Sequence, residues 1–275
     1  MCDDVFLVDD FGLGEGRTRW RAHQRGPGGM VANALAAAAA QGCHAEILSL
    51  VGRDADGDFV ARGLRERGVS TRRLVRSEQH PTTTALVLVE KGSGRRRFVV
   101  PDRRALERSA PDFDLAPIRR GALLLIDGHF PVQARRAAKR AHARGVPVVA
   151  DFADARASHR ALLSHVDFAI VPMEFVRTLG VGDARKTLRH LRDRHGCIPV
   201  ITQGARGALA LLHGKVERVP TPRVRALDTS GAGDVFHGAF AAGLVAGLDV
   251  RAALRAAAPI AADSCRHLGG CAPLD

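Results

Sequence analysis

Ala226-Leu227-Asp228-Thr229-Ser230-Gly231-Ala232-Gly233-Asp234-Val235-Phe236 sets a run of small residues between two acids and then opens an Ala/Gly-rich helical stretch reaching about Gly247. The first N–H groups of a helix have no partner within it and carry the positive end of its dipole. Gly231, Ala232 and Gly233 have almost no side chain, so a phosphate can approach those amides closely. Asp234 stands at the mouth of the helix, beside any group held there. A carboxylate in that place accepts a proton from an attacking hydroxyl while the amides stabilise charge on phosphoryl oxygens. Taken alone, Asp234 also reads as a helix cap; the flanking Asp228 and Thr229 are what capping leaves unexplained.

Outward from this stretch, short apolar runs alternate with longer helical patterns, the rhythm of an α/β fold. Ala45–Val51, Ala122–Asp127, Val146–Asp151, Phe168–Val171 and Pro199–Thr202 read as core strands, near-continuously apolar as when helices cover both faces. Met30–Gln41, Asp56–Arg67, Val132–Arg144 and Asp183–Arg194 read as the helices between them, with Gly145 and Gly196 placed to end two of them. Gly207–His213 and Lys215–Val219 form a hairpin through Gly214. Two segments, about 4–25 and 82–101, break the rhythm with alternating and polar residues and a turn at Gly92-Ser93-Gly94. They are read as strands that leave the main layer to form a small β lid, the alternative being edge strands of the same sheet. The whole chain, 1–275, is read as a single domain.

Composition narrows the function. Hydrophobic residues make up 46% of the 275 and charged residues 25%, with no apolar run long enough to span a bilayer. The acidic start lacks the basic-then-apolar order of a signal peptide, so the expected location is cytoplasmic, with no membrane partner. Cys2, Cys43, Cys197, Cys265 and Cys271 show no CxxC spacing and read as reduced, structural residues. The net charge of +12 comes mostly from arginines spread over many helix faces. Only Arg95-Arg96-Arg97 forms a tight run, and Phe98 alone is no stacking platform, so specific nucleic-acid binding is not expected. Attraction of anionic substrates is a sufficient use for the charge. Gly26-Pro27-Gly28-Gly29 lacks the G-x-G-x-x-G spacing of a dinucleotide fold.

The string Asp228–Asp234, together with Gly28-Gly29 and Asn33, resembles the ribokinase-type (PfkB) family of carbohydrate kinases, and Val51-Gly52-Arg53-Asp54-Ala55-Asp56-Gly57 matches that family's other N-terminal pattern. Asp234-Val235-Phe236-His237-Gly238-Ala239 and the spacing from Asp3 to Asn33 look closest to the ketohexokinase and sulfofructose kinase branch. The resemblance implies a three-layer α/β/α fold with a mostly parallel sheet and a small β lid. It also implies an ATP-dependent sugar kinase that uses Mg²⁺. Asp234 would be the catalytic base, and Gly231, Ala232 and Gly233 the anion hole. Asp3, Gly28, Gly29 and Asn33 would hold sugar hydroxyls, with His129 a further substrate contact or a structural histidine. Thr202-Gln203-Gly204, with Gly231 and Gly233, would contact the nucleotide. Asp228 and Ser230 fall where many members bind a monovalent cation, K⁺. A small-molecule sugar is the expected partner, and a homodimer through the lid is expected for the family.

Three departures accompany the match. The core strand that usually precedes the acid at Asp3 is missing: either the start is mis-assigned, or the sheet is weakened and Asp3 poorly fixed. The Asn-x-x-Glu pattern that helps organise Mg²⁺ is replaced at Pro172-Met173-Glu174-Phe175. The chain stops soon after Gly269-Gly270, where relatives continue into a final helix. His129 stands where the sulfofructose branch is expected to carry an arginine, which argues against a sulfonated substrate. Arg17 and Arg97 read as anion contacts or as solvated lid charges. His237, one turn after Asp234, reads as packed, and His80, His142, His159 and His190 read as surface residues. A nucleoside or vitamin kinase of the same fold and a non-catalytic sugar-binding relative remain the alternatives to a sugar kinase.

Overall fold

The computed structural model describes residues 1–11 and 16–270. Residues 12–15 of the expected lid segment and Cys271 lie outside the described residues. Two compact units emerge: residues 1–109, 223–238 and 260–275 form the first, residues 110–222 and 239–259 the second.

In the first unit, β1 (Cys2–Val8), β2 (Trp20–Pro27), α1 (Met30–Ala40), β3 (Ala45–Glu46), β4 (Ser49–Gly52) and α2 (Ala55–Glu66) come first. They are followed by β5 (Val69–Ser70), β6 (Leu74–Ser77), β7 (Thr84–Glu90), β8 (Arg96–Val99) and α3 (Arg104–Ser109). The segments that broke the α/β rhythm pair with each other in a four-stranded sheet of order β2-β1-β7-β8, separate from the parallel strands of the second unit. Period-2 alternation explains which face is buried: Val5 and Leu7 of β1 stand opposite Val87 and Val89 of β7 and form one apolar cluster with Ala85.

The stretch 45–51, read as one core strand, is broken. β3 pairs with β5 and β4 pairs with β6 in two separate two-stranded sheets. The break is at Ile47-Leu48, where the chain leaves one partner strand for the next, and a continuous apolar pattern carries no mark of such a change.

The second motif of the sequence proves to be an architectural knot. Asp54 caps α2 by accepting from the Gly57 N–H at 2.7 Å, and also accepts from the Thr82 N–H at 2.7 Å and the Thr82 hydroxyl at 2.6 Å. Burial opposes ionisation of this carboxyl, but the three donors outweigh it and hold its pKa below the usual carboxylate range. Gly52 and Gly57 are required by space, since a Cβ on Gly57 would stand 2.2 Å from the Gly52 carbonyl oxygen. The knot ties α2 and β4 to the segment that leads into β7.

The second unit holds β9 (Leu124–Ile126), α4 (Pro131–Ala143), β10 (Val148–Asp151), α5 (Ala157–Leu162), β11 (Phe168–Pro172), α6 (Met173–Leu179), α7 (Ala184–His195), β12 (Ile198–Thr202), β13 (Ala208–Leu212) and β14 (Lys215–Val219). The order is β14-β13-β12-β11-β10-β9, parallel from β9 to β12 and antiparallel beyond. Every residue of β10 is buried, as expected for a strand covered on both faces. α8 (Ala232–Val245) and α9 (Val250–Ser264) complete the chain's helices.

His159 corrects the reading of it as a surface residue: it is 3% exposed and stacks on Phe152 with ring centroids 4.8 Å apart. Its Nδ1 donates to the Asp154 carbonyl at 2.7 Å, and burial lowers its pKa. The ring lies so close to Gly128 (φ 75°) that a Cβ there would stand 2.4 Å from His159 Cδ2. The glycine in Asp127-Gly128-His129 therefore makes room for the distant His159.

Candidate active site

The site in the first unit grows from two helix starts. Gly29, at φ 105°, is the N-cap of α1, a backbone position that suits glycine. α1 then presents Asn33, which is 5% exposed. The second start is that of α8, where Gly231 takes φ 73°, the Ala232 N–H makes only a long 3.4 Å bond to the Thr229 carbonyl, and the Val235 N–H donates to the Gly231 carbonyl at 2.8 Å. The first amides of a helix are the ones that its own turns leave for an outside acceptor. Gly233 is exposed, and nothing lies within 4 Å of where its Cβ would stand. An approaching anion meets open space there.

A close helix contact brings the two starts together. At Gly238, one turn after Asp234, a Cβ would stand 2.0 Å from the Ala34 carbonyl oxygen. Only a glycine admits that approach of α8 to α1. One turn back along the contact, Asn33 Nδ2 donates to Asp234 Oδ2 at 2.7 Å. The expected sugar-binding amide and the expected base are thus direct partners, although they are 201 positions apart in the chain.

Asp228 organises the loop between. It is 1% exposed, and its two oxygens accept from different segments: Oδ1 from the Ser230 N–H at 2.7 Å, Oδ2 from the Gly269 N–H at 2.8 Å. The two segments touch, since a Cβ on Gly231 would stand 2.5 Å from Gly270 Cα, and one on Gly270 would stand 2.8 Å from Asn33 Nδ2. Gly269-Gly270, noted in the sequence only as a landmark near the chain's end, is therefore a wall of the site. The Ser230 hydroxyl is buried and has no hydrogen-bond partner among the described residues.

Asp3 lies on β1 with its carboxylate pressed against Gly28, where a Cβ would stand 1.9 Å from Asp3 Oδ2. The two-glycine run is thus explained locally: Gly28 yields space to Asp3, and Gly29 turns the chain into α1. Asp3 and Gln24 line a small cleft with Gly269 and Gly270. Burial pushes the Asp3 carboxyl up to about 6. Asp3 Oδ1 and Asn33 Oδ1 are both buried acceptors without a donor among the described residues. A ligand that brings hydroxyl donors would satisfy both. Far from being poorly fixed, Asp3 is paired in β1 with β2 on one side and β7 on the other.

His237 is 2% exposed and its Nδ1 donates to the Gly233 carbonyl at 2.7 Å, so it braces the first turn of α8. His129 and Thr202-Gln203-Gly204 belong to the second unit. His129, half-buried, donates its N–H to Asp127 Oδ1 at 3.0 Å. Thr202 ends β12, the Gln203 N–H donates to the Gly207 carbonyl at 2.7 Å, and Gly204 turns at φ 58°. Glu174, beside the lost Asn-x-x-Glu pattern, gives its carboxylate to Arg177.

The glycine at 238 gives a direct test of this geometry. Gly238→Ala should destabilise the protein by about 1–3 kcal/mol through overpacking, read as a lower urea midpoint. An alanine accepted with no shift would mean that the two helices stand farther apart than the contact requires.

The chain is similar to known proteins. A model of the pfkB family carbohydrate kinases matches residues 3–275. The ribokinase of Bacillus subtilis (strain 168) is 27% identical over 233 residues, which cover 83% of this chain and 78% of that protein. The ketohexokinase of Mus musculus is 24% identical over 281 residues, 96% of this chain and 93% of that one. The solved structure of Arabidopsis thaliana ribokinase complexed with ribose and ATP shares the fold, with a TM-score of 0.78 at 23% identity over 98% of this chain and 90% of its own. Ketohexokinase thus stands beside ribokinase among the relatives. With the family model covering nearly the whole sequence, the chain belongs to the pfkB family of carbohydrate kinases and is a phosphotransferase of the ribokinase-like fold.

Proposed function

We propose that this enzyme transfers the γ-phosphate of MgATP to a hydroxyl of a monosaccharide, a ketose or related sugar, with Asp234 as general base. The observation that carries the reading is the bond from Asn33 to Asp234, which sets a polyol-recognising amide against a carboxylate at a helix start. Asp3 and Asn33 offer buried acceptors to the sugar's hydroxyls. Asp234, with Oδ2 held by Asn33, keeps one orientation and takes the proton as the hydroxyl attacks. The amides of Gly231, Ala232 and Gly233 stabilise the phosphoryl oxygens. Thr202-Gln203-Gly204 we assign to the nucleotide and His129 to the substrate, both on family resemblance. When bound, Mg²⁺ neutralises phosphate charge, and it is carried largely by the phosphates themselves. The buried Ser230 hydroxyl and the Asp228 carboxylate are oxygen donors of the kind that hard cations accept, and they fit K⁺. Polar walls at Asp3, Gln24 and Asn33 favour a polyol over an aromatic base, which sets a nucleoside behind a sugar.

A panel of ketoses, aldoses and nucleosides assayed for ADP release, with and without K⁺, tests the reading. With the best sugar, Asp234→Asn should lower kcat by about 10²–10⁴-fold, the range of a lost general base, and leave ATP affinity intact. Turnover at the unsubstituted rate would remove Asp234 from the role.

Asp3 gives the reaction a pH signature. Its ionised form is the one that accepts two hydroxyl donors, and its raised pKa of about 6 means that this form is lost as pH falls through that value. KM for the sugar should therefore climb as pH drops from neutral toward 5, bending near 6, while Asp3→Asn shows a high, flat KM. A bend that survives in Asp3→Asn belongs to another group.

A further inference from the structure

The peptide group between Thr229 and Ser230 is held at both ends by opposite charges. Its N–H donates to Asp228 Oδ1 at 2.7 Å. Its carbonyl accepts from Arg96 Nη1, which also donates to the Thr229 hydroxyl at 2.6 Å. The hydroxyl in turn donates to the Gly94 carbonyl at 3.2 Å. Among the described residues that carbonyl also accepts from the Ala232 N–H, at a long 3.4 Å. A peptide plane is rigid, so fixing its two polar ends fixes its rotation, and charge-assisted bonds are the stronger kind.

The arginine run on this hairpin is divided in its work. Arg95 pairs with Glu90 at 2.8 Å. Arg97 lies over the Phe11 ring, 5.1 Å from its centroid. Arg96 alone of the three reaches the 228–234 loop, from the first position of β8. The Gly94 N–H donates to the Glu90 carbonyl at 3.0 Å, so the turn that carries Arg96 is itself closed.

We propose that Arg96 is a positioning residue for phosphoryl transfer: by pinning the Thr229 carbonyl against the pull of Asp228 on the Ser230 N–H, it aims the amides of Gly231, Ala232 and Gly233 at the phosphate. This rests on the reading of those amides as the anion hole. The peptide that Arg96 pins lies directly ahead of the one whose N–H belongs to Gly231. A rotation of the first tilts the second and moves the donors off target. Arg96 acts through the loop and leaves the ligand to the amides. Lysine is only a partial replacement: its ammonium has donors enough for both oxygens, but it rides on a flexible stem in place of a rigid guanidinium plane.

Two measurements separate this role from the kinase reading on which it rests. In ligand-free protein, Arg96→Ala should speed hydrogen exchange at Ser230, whose N–H is bonded to Asp228, by about tenfold or more, the loss of a charge-assisted bond, with β7 amides unchanged. Unchanged exchange in the loop overturns the pinning, whether or not any sugar is phosphorylated. In turnover, Arg96→Ala should lower kcat about 10- to 100-fold with sugar KM nearly constant. Arg96→Lys should fall between, and added guanidinium should restore part of the rate to Arg96→Ala. Faster exchange with an unchanged kcat overturns the catalytic consequence. A loss confined to ATP affinity, with kcat kept, would make Arg96 a nucleotide contact and overturn the proposal as well. A lowered melting temperature without rescue would reduce it to a structural role.

Discussion

A carboxylate buried at 1% exposure, Asp228, is the constraint from which the rest of the site follows. A buried charge is costly unless it is fully bonded, and Asp228 meets that condition by drawing in two separate pieces of backbone, at Ser230 and at Gly269. Folding cannot place one without the other. The 228–234 loop and the 269–270 segment are therefore set together, and the start of α8 is given a fixed backdrop. The anion-binding property of a helix terminus is generic; what is particular here is how firmly the terminus is held.

Close backbone approach is the second element of the design. Gly28 lies against Asp3, Gly231 against Gly270, and Gly238 against Ala34, each at a distance where a Cβ would collide. Absent side chains let polar groups from distant parts of the chain share one small volume. Asn33 reaches Asp234 because two helices touch at a glycine, and Asp3 faces the cleft because Gly28 leaves it room. Among the described residues the Asp3 and Asn33 acceptor oxygens find no donor, a cost that a hydroxyl-rich ligand would remove.

Much of this was legible in the sequence. The 228–234 stretch carried its chemistry in residue types alone, and the apolar runs of the second unit matched β10, β11 and β12 closely because strands covered on both faces are uniformly apolar. What escaped depended on contacts between distant positions. The break of 45–51 into two strands came from a change of partner, and α9, which was not read from the sequence, carries Pro259 inside it, a residue that ordinarily argues against a helix interior. His159 looked like a surface residue because no pattern announces that Gly128 will make space for its ring. Arg96 looked like one member of a basic run, and only its bonds to Thr229 distinguish it from its neighbours. Asp54, by contrast, sat in a recognised motif, and its bonds cap α2 and tie it to Thr82.

The central claim is that the amides opening α8 grip the phosphate being transferred while Asp234 faces the acceptor alcohol. The most direct measurement is a crystal structure of the enzyme with a non-hydrolysable ATP analogue, Mg²⁺ and the sugar that gives the highest turnover. The account predicts a γ-phosphate oxygen within hydrogen-bonding distance of the amides of Gly231 to Gly233, with a sugar hydroxyl bonded to Asp234 and others to Asp3 and Asn33. A triphosphate bound elsewhere, with those amides facing solvent and Asp234 remote from any hydroxyl, would contradict it.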